Sequence, residues 1–386
     1  MSDRPRLLYL ITEDWYFWSH RVDLARAARE AGYDVIVATR VTDHGARIRG
    51  EGFQLEPLEL VRRSRNPLRE AVAVAELVRL YRRVRPDIVH HVAMKPILYG
   101  SLVAWFTRVP AVINAFAGLG YTFMDDRNRL LRWCVKTALR TVLTLGHSVV
   151  LVQNHDDQDR LVGEGVVPVS RTRIIAGSGI DIAVYSLQLQ PSGVPIVVLP
   201  ARMLWDKGVG EFVEAARRLK RKGAHARFVL VGRRDEHNPA AIPEIRLKEW
   251  VKEGVVEWWG HREDMPAVYA AAMFVVLPSY REGLPKVLLE AAACGKAMVA
   301  TDVPGCREIV RDRFNGLLVS PRDSMALANA MEGLLSDQES REIMGQRSRT
   351  LALSEWSGSR ISEQVLNLYH DVLKSSSIAD RSHGYA

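Results

Sequence analysis

The chain has few cysteines: Cys134, Cys294 and Cys306 are the three in 386 residues, and they are widely separated. They form no ligand pattern with histidine, which argues against a disulfide scaffold and against a structural zinc site. No uninterrupted apolar run reaches the length of a membrane span. The first residues, MSDRPRLLYLITEDW, lack an apolar signal core and a small-residue cleavage site, so we expect a cytoplasmic protein.

The composition argues against a disordered chain, because 47% of the residues are hydrophobic. The length is enough for two domains of about 150 to 200 residues each. Residues 7–11 and 33–39 are strand-like and flank a helical pattern, and another helical pattern covers residues 67–84. This alternation starts again after a linker that we place at residues 183–194. The pattern predicts an α/β protein with two wound sheets.

One stretch, LPSYREGLPKVLLEAAACG at residues 277–295, is typical of a strand end, a tight turn and a helix start. Pro285 suits the first turn of a helix, where the free backbone amides of Lys286, Val287 and Leu288 would attract an anion. Glu282 and Glu290 flank this turn. A carboxylate, a phosphate cradle and a second carboxylate match the hydroxyls and phosphates of a sugar nucleotide. The alternative is an ordinary α/β turn with solvated glutamates.

A second pair of charged residues lies at the end of the run PIVVLPARML, which is typical of a buried strand. This strand is expected to end near Arg202, and Lys207 lies in the next loop. Ligands of open α/β sheets bind at the carboxyl ends of the strands, so these cations are placed to neutralise a diphosphate. The alternative is a pair of ordinary surface cations.

The spacings R-x4-K (Arg202, Lys207) and E-x7-E (Glu282, Glu290) resemble those of the retaining glycosyltransferases of family 4. Segments starting near residues 227, 255 and 300 also fall where that family has its strands and turns, so the resemblance covers nearly the whole chain. It implies the GT-B fold, with two Rossmann-like domains facing each other across a cleft.

The resemblance also implies a domain division, which we set as follows. Residues 1–187 form an acceptor-binding domain and residues 188–357 a nucleotide-sugar-binding domain. A helix at 358–375 returns to the first domain, and residues 376–386 form a mobile tail.

The family resemblance assigns roles to individual residues. Arg202 and Lys207 would hold the diphosphate and stabilise the charge of the departing nucleotide, while Glu282 would bind hydroxyls of the donor sugar and Glu290 those of the ribose. The backbone at Gly260 would flank the nucleobase. The full nucleotide-binding set is Glu290, Gly283, Leu284, Lys286, Val287, Leu288, Gly260, His261 and Arg262. No cofactor is implied, because the nucleoside-diphosphate sugar is a co-substrate.

The acceptor side carries weaker signals. The loop GLGYTF contains Gly118 and Gly120, whose lack of a side chain lets backbone approach a ligand closely. Many family members have a histidine near this strand end, whereas this chain has Ala117 nearest that place. In this the chain resembles the branch whose acceptors are sugars linked to polyprenyl diphosphate. Further acceptor candidates, with packing or solvation as the alternative, are His20, His90, His91 and Lys95.

The expected chemistry needs neither a protein nucleophile nor a metal. The resemblance implies retention by a front-face reaction in which the departing phosphate oxygen helps to take the acceptor proton. The chain contains Asp157-Gln158-Asp159, which resembles the metal-binding D-x-D of the other major glycosyltransferase fold. These acids stand at a predicted helix start, where they suit the helix dipole, so we expect no metal site.

Positive charge is concentrated between residues 60 and 140, where 15 Lys or Arg oppose five Asp or Glu, a net charge of +10. Within it, the helical stretch RNRLLRWCVKTALRTVLTL has basic and apolar stripes. Such a helix can rest on anionic lipid, and the alternative is a domain-packing helix with a solvated basic face. The basic stripe is Arg132, Lys136 and Arg140, and the apolar stripe is Leu131, Cys134, Val135, Ala138 and Val142.

These expectations combine into one function. The chain would transfer an N-acetylhexosamine or related hexose from a nucleoside-diphosphate sugar, UDP by resemblance, to a lipid-diphosphate-linked saccharide in bacterial surface-glycan assembly. It would work at the cytoplasmic face of the membrane, without nucleic acid. Two alternatives stay open: a sugar-nucleotide 2-epimerase of the same architecture, and a non-enzymatic basic adaptor for membrane or nucleic acid.

Overall fold

The computed structural model describes residues 4–61, 66–119, 129–146, 148–187, 192–236 and 238–383. The chain forms two compact units. The first consists of Met1–Ser178 together with Gly358–Ala386, and the second is Gly179–Ser357. The division therefore lies nine residues before the boundary that the sequence suggested.

The first unit is built on a seven-stranded parallel sheet with the strand order β3-β2-β1-β4-β5-β6-β7. Its central strands are buried along their length because helices cover both faces of the sheet. The strands are β1 (Arg6–Glu13), β2 (Asp34–Arg40), β3 (Gln54–Pro57), β4 (Ile88–Val92), β5 (Ala111–Ala115), β6 (Ser148–Val152) and β7 (Thr172–Ile174).

Eight helices accompany this sheet in the described residues: α1 (Asp14–His20), α2 (Val22–Glu30), α3 (Gly45–Gly50), α4 (Pro67–Val84), α5 (Met94–Phe106), α6 (Arg129–Thr144), α7 (His155–Gly163) and α15 (Gly358–His383). Helices α2 and α15 share one core with the sheet, whereas α4, α5 and α6 pack on two other apolar clusters. The predicted helix over residues 67–84 is α4, whose first turn is capped by Asn66 and opened by Pro67.

Helix α15 extends beyond the sequence-based estimate. It continues to His383, although residues 376–386 were expected to be a mobile tail. The serines of this polar stretch bond back into the helix: Ser375 Oγ donates to Asp371 O and Ser376 Oγ to Leu373 O, both at 2.8 Å. No proline or glycine interrupts residues 359–383, so nothing in the local sequence stops the helix earlier.

The second unit has a six-stranded parallel sheet in the order β10-β9-β8-β11-β12-β13. Its strands are β8 (Ile196–Pro200), β9 (Arg227–Val231), β10 (Glu257–Trp258), β11 (Phe274–Leu277), β12 (Met298–Thr301) and β13 (Gly316–Val319). Its helices are α8 (Val209–Arg221), α9 (Glu244–Lys252), α10 (Met265–Ala271), α11 (Lys286–Ala293), α12 (Cys306–Ile309), α13 (Ser324–Ser336) and α14 (Gln338–Glu355).

The strand order of the second unit determines where a ligand can bind. From β8 the chain winds outward through β9 to β10, then returns to the other side of β8 and continues through β11 to β13. The loops after β8 and β11 therefore leave neighbouring strands in opposite directions and open a crevice at their carboxyl ends. These are the loops that carry Arg202, Lys207 and Glu282.

Candidate functional site

The loops after β8 and β11 bring Lys207 and Glu282 into contact. Lys207 Nζ donates to Glu282 Oε1 at 2.5 Å, and both side chains are largely shielded from solvent. Lys207 ends a short 3₁₀ turn, and Gly208 after it has φ +69°. A Cβ at Gly208 would collide with the carbonyl oxygen of Pro278, so only glycine lets the two loops approach this closely.

Arg202 is held by a residue that the sequence analysis did not identify. Its Nη1 donates to Oδ2 of Asp235 at 2.7 Å, and 44% of the Arg202 side chain is exposed. Asp235 follows β9, which pairs with β8. An acidic residue after the neighbouring strand lies at the same edge of the sheet as Arg202, and this position could have identified it from the sequence. The carboxylate fixes the guanidinium while leaving much of it open to a ligand.

Glu290 lies on α11 and is only 6% exposed. Its two carboxylate oxygens accept one hydroxyl each, Oε1 from Tyr185 at 2.9 Å and Oε2 from Tyr269 at 2.8 Å. The ammonium of Lys286 lies 3.9 Å from Oε1. Burial raises the pKa of Glu290, while Lys286 and the two hydroxyls oppose that rise. Both tyrosines were missed by the sequence analysis.

The start of α11 differs from the expectation in detail. Pro285 is the residue that precedes the helix, not a member of its first turn. The amide of Leu288 donates to Pro285 O at 3.0 Å, so it does not point outward to a phosphate as predicted. The backbone at Gly283 packs against Gly305, where a Cβ would collide with the Gly283 carbonyl oxygen. Leu284 and Val287 complete this half-buried turn.

The turn after β10 holds the predicted nucleobase residues. Gly260 has φ +68°, and its carbonyl accepts the amide of Gly232 at 2.7 Å. His261 is exposed, and Arg262 binds both carboxylate oxygens of Asp264, at 2.8 and 2.7 Å. A cavity of about 360 Å³ lies beside this turn, lined by Trp259, Arg262, Ala267, Val268 and Ala271.

Two family models match the chain, one in each unit. Residues 194–337 match the model described as glycosyl transferases group 1, and residues 6–147 match the glycosyl transferase 4-like model. The chain is a family 4 glycosyltransferase. With its two parallel-sheet α/β units, this glycosyltransferase has the GT-B fold.

Curated and solved relatives resemble the glycosyltransferase along most of its length. It is 28% identical over 369 residues to the N,N'-diacetylbacillosaminyl-diphospho-undecaprenol alpha-1,3-N-acetylgalactosaminyltransferase of Campylobacter jejuni, covering 92% of this chain and 95% of that one. HepE of Anabaena, solved with UDP, is 19% identical with a TM-score of 0.76, covering 95% and 100%. Sucrose-phosphate synthase of Thermosynechococcus elongatus is 20% identical with a TM-score of 0.78, covering 96% and 100%.

The structure corrects the interpretation of His91 as an acceptor contact. His91 is fully buried, with Nε2 beside the Tyr81 hydroxyl and Nδ1 beside Asn114 Oδ1, both at 2.9 Å. Burial lowers its pKa to about 4. His90 is equally buried and its Nδ1 lies 2.7 Å from the Tyr369 hydroxyl. His90 and His91 are therefore core residues that connect the sheet to its helices.

The other acceptor candidates are more accessible. Lys95 Nζ donates to Glu70 Oε1 at 2.8 Å and to a backbone carbonyl at 2.7 Å, so it already has partners. His20 ends α1 and stacks on Tyr16 with ring centroids 4.3 Å apart. Gly118 follows β5 with φ +92°. Gly120 lies outside the described residues.

Helix α6 of the glycosyltransferase is not the free amphipathic helix that the sequence suggested. Val142, from its predicted lipid-facing stripe, is buried in the core with Leu139. Arg132 and Lys136 both face Glu164, at 2.9 and 3.5 Å. Cys134, Ala138 and Arg140 are exposed and Val135 is partly buried, whereas the side chain of Leu131 lies outside the described part. The alternative, a packing helix, fits these contacts better.

Asp157 of the D-x-D stretch takes part in the cap at the start of α7. Its amide donates to the side chain of Asn154 at the start of α7, at 2.7 Å, and its carboxylate is buried. Within the described ranges, no group of three or more His, Cys, Asp or Glu side chains is arranged to hold a metal. None of the described helices combines the length and the apolar character that a bilayer crossing requires.

Proposed function

We propose that this glycosyltransferase moves a sugar, an N-acetylhexosamine or a related hexose, from a UDP-sugar to a lipid-diphosphate-linked saccharide in surface-glycan assembly. One observation carries the donor half of the proposal: the Lys207–Glu282 ion pair and Arg202 lie together at the carboxyl ends of β8 and its neighbours. The similarity to the Campylobacter enzyme, whose name specifies an undecaprenol-diphosphate acceptor, supports the other half.

The charged groups of this edge match the parts of a nucleotide sugar. Lys207 and Arg202 take the diphosphate, Lys207 as a point charge and Arg202 through its planar fork. Glu282 accepts hydroxyls of the donor sugar. Glu290 accepts the ribose hydroxyls, because a carboxylate with two tyrosine donors keeps further lone pairs available. The cavity beside Arg262 offers the neighbouring space for the base.

The reaction proceeds with retention and without a metal. The bond between the anomeric carbon and the phosphate oxygen breaks, the acceptor oxygen forms the new bond on the same face, and its proton passes to the departing phosphate oxygen. Arg202 and Lys207 stabilise the negative charge that develops on this leaving group. Glu282 orients the sugar and takes no part as a nucleophile.

The lipid-linked acceptor places the glycosyltransferase at the cytoplasmic face of a membrane. Its first unit receives the acceptor, and the candidate contacts are Gly118 after β5, His20 at the end of α1 and Lys95 in the first turn of α5. The positive charge of that unit favours anionic lipid.

The test uses the full chain, radiolabelled UDP-sugars and a lipid-diphosphate-linked sugar, with a chelator present. We expect transfer with the donor's anomeric configuration, at least about a hundredfold slower turnover for Arg202→Ala and Lys207→Ala, and weaker donor binding for Glu290→Ala. Arg227→Ala is the matched control, because Arg227 is also 44% exposed and pairs with a carboxylate at 2.7 Å. Unchanged kinetics in all three site variants, or an epimerised donor formed without acceptor, would refute the proposal.

A further inference from the structure

The C-terminal half of α5 presents large apolar side chains to solvent. Between Lys95 and Arg108 the sequence PILYGSLVAWFT contains no charged residue. One side of the helix packs in the core, yet three large apolar residues face solvent: Leu102, Trp105 and Phe106 are 43%, 55% and 59% exposed. Their spacing of three and four residues places them on one side of the helix. A surface helix normally carries polar side chains there.

Cations border these apolar residues. The guanidinium of Arg82 on α4 lies 5.3 Å from the ring centroid of Phe106, and Arg79 is exposed one turn earlier on the same helix. In the described part of the chain neither arginine has a carboxylate partner. We use the name α5 surface for the patch formed by Arg79, Arg82, Leu102, Trp105 and Phe106.

The charge around the α5 surface is one-sided. Residues 77–110 contain six Lys or Arg and one Asp, a net charge of +5. Arg83 and Lys95 pair with Glu56 and Glu70, whereas the other four cations have no carboxylate partner in the described part of the chain. The single acid, Asp87, accepts the amide of Arg6 at 2.7 Å. Two copies of this chain meeting face to face would bring these positive charges together, which opposes a symmetric dimer. A partner rich in negative charge and in apolar material complements the α5 surface.

We propose that the α5 surface is the site at which the protein docks on a bilayer that contains anionic lipid. Trp105 and Phe106 enter the interface between headgroups and acyl chains, where aromatic side chains are favoured. Arg79 and Arg82 bind the surrounding lipid phosphates. This surface replaces α6, whose Val142 is buried in the core and whose Arg132 and Lys136 face Glu164. The inference rests on the proposed function, because docking on a bilayer would bring the protein to its lipid-linked acceptor. Vesicle binding can nevertheless be measured without any sugar transfer.

Flotation of the full chain with vesicles tests the proposal. We expect binding to mixed phosphatidylcholine and phosphatidylglycerol vesicles and much weaker binding to phosphatidylcholine alone. Trp105→Ala combined with Phe106→Ala should lower the partition coefficient at least about tenfold on the mixed vesicles. Arg79→Gln combined with Arg82→Gln should lower it by about fivefold for each charge, an effect that high salt removes.

The second unit supplies a matched control. Phe314 is 40% exposed, and the guanidinium of Arg347 lies 4.6 Å from its ring centroid, so Phe314→Ala removes an aromatic ring from the same kind of pair. Vesicle binding of this variant should equal that of the wild type. Circular dichroism and the thermal shift produced by UDP should be unchanged in the α5 surface variants, which excludes misfolding and loss of the donor site.

Three results would overturn the proposal: a wild type that does not float with anionic vesicles, surface variants that bind as well as the wild type, or a wild-type dimer that becomes monomeric in the Trp105/Phe106 variant. The first two would leave the proposed transfer untouched if soluble-acceptor turnover persists. Conversely, vesicle binding without any sugar transfer would refute the proposed function and keep the docking surface.

Discussion

Removing the Tyr185 hydroxyl should change the pH at which the donor binds. In Tyr185→Phe the buried carboxylate of Glu290 loses the donor that lies 2.9 Å from Oε1. A hydrogen bond to a charged group contributes about 1.5–3 kcal/mol, and 1.36 kcal/mol corresponds to one pKa unit. The pKa of Glu290 should therefore rise by about one to two units above its already raised value.

The sign follows from the groups around the carboxylate. Tyr269 on α10 and Lys286 on α11 remain and favour the ionised form, while burial favours the protonated form. The thiol of Cys294 is neutral, because burial raises its pKa to about 12. A protonated Glu290 accepts ribose hydroxyls poorly, so donor affinity falls as the pH drops through the pKa of Glu290. With Tyr185→Phe this loss begins at higher pH.

The assay is the donor KM measured across the acidic and neutral pH range for the wild type and the variant. We expect the acid limb to move upward by about one to two units, with a smaller effect at alkaline pH. Tyr99→Phe is the control, because it removes a hydroxyl that donates to Glu70 at 2.7 Å in the other unit. An unmoved acid limb, or an equal shift in both variants, would refute the reasoning.

Three further predictions concern stability. Glu290→Gln removes a charge that is costly to bury, so it should increase the free energy of unfolding at neutral pH by roughly 1 kcal/mol and raise the melting temperature. The same change should weaken donor binding. A lower melting temperature would contradict this prediction. Gly305→Ala should destabilise the fold by about 1–3 kcal/mol and raise the donor KM, since the new Cβ meets a backbone carbonyl at φ +80°; unchanged chemical denaturation would exclude it. Tyr369→Phe should lower the free energy of unfolding in urea by about 1–3 kcal/mol, because the Tyr369 hydroxyl lies 2.9 Å from that of Tyr9 and 2.7 Å from His90 Nδ1. An unfolding midpoint equal to that of the wild type would show that these contacts contribute little.

Local patterns were enough to predict the α/β class and the positions of the charged loops. The period of apolar residues identified α4 over residues 67–84, because its start signals and its packing face lie in one continuous segment. The position of Arg202, Lys207 and Glu282 at one edge of the sheet could be predicted, because they follow apolar runs and parallel strands end at a common edge.

Contacts between distant segments could not be predicted in this way. Tyr185 and Tyr269 reach Glu290 from 105 and 21 residues away, and only the packed unit brings the three together. The burial of His91 was missed because β4 is covered on both faces, so polar residues within it lack the usual alternation. The same holds for α6, where Val142 of the predicted stripe is buried in a core that other elements help to form.

The placement of α15 determines when the first unit can be completed during synthesis. Ile361, Val365 and Tyr369 of this helix belong to the same core as Tyr9 on β1. The ribosome must first produce the 179 residues from Gly179 to Ser357, which at typical elongation rates takes about 10 to 40 s. Throughout that interval the core that α2 shares with α15 lacks one of its helices, and the apolar side chains that α15 covers in the finished protein stay exposed.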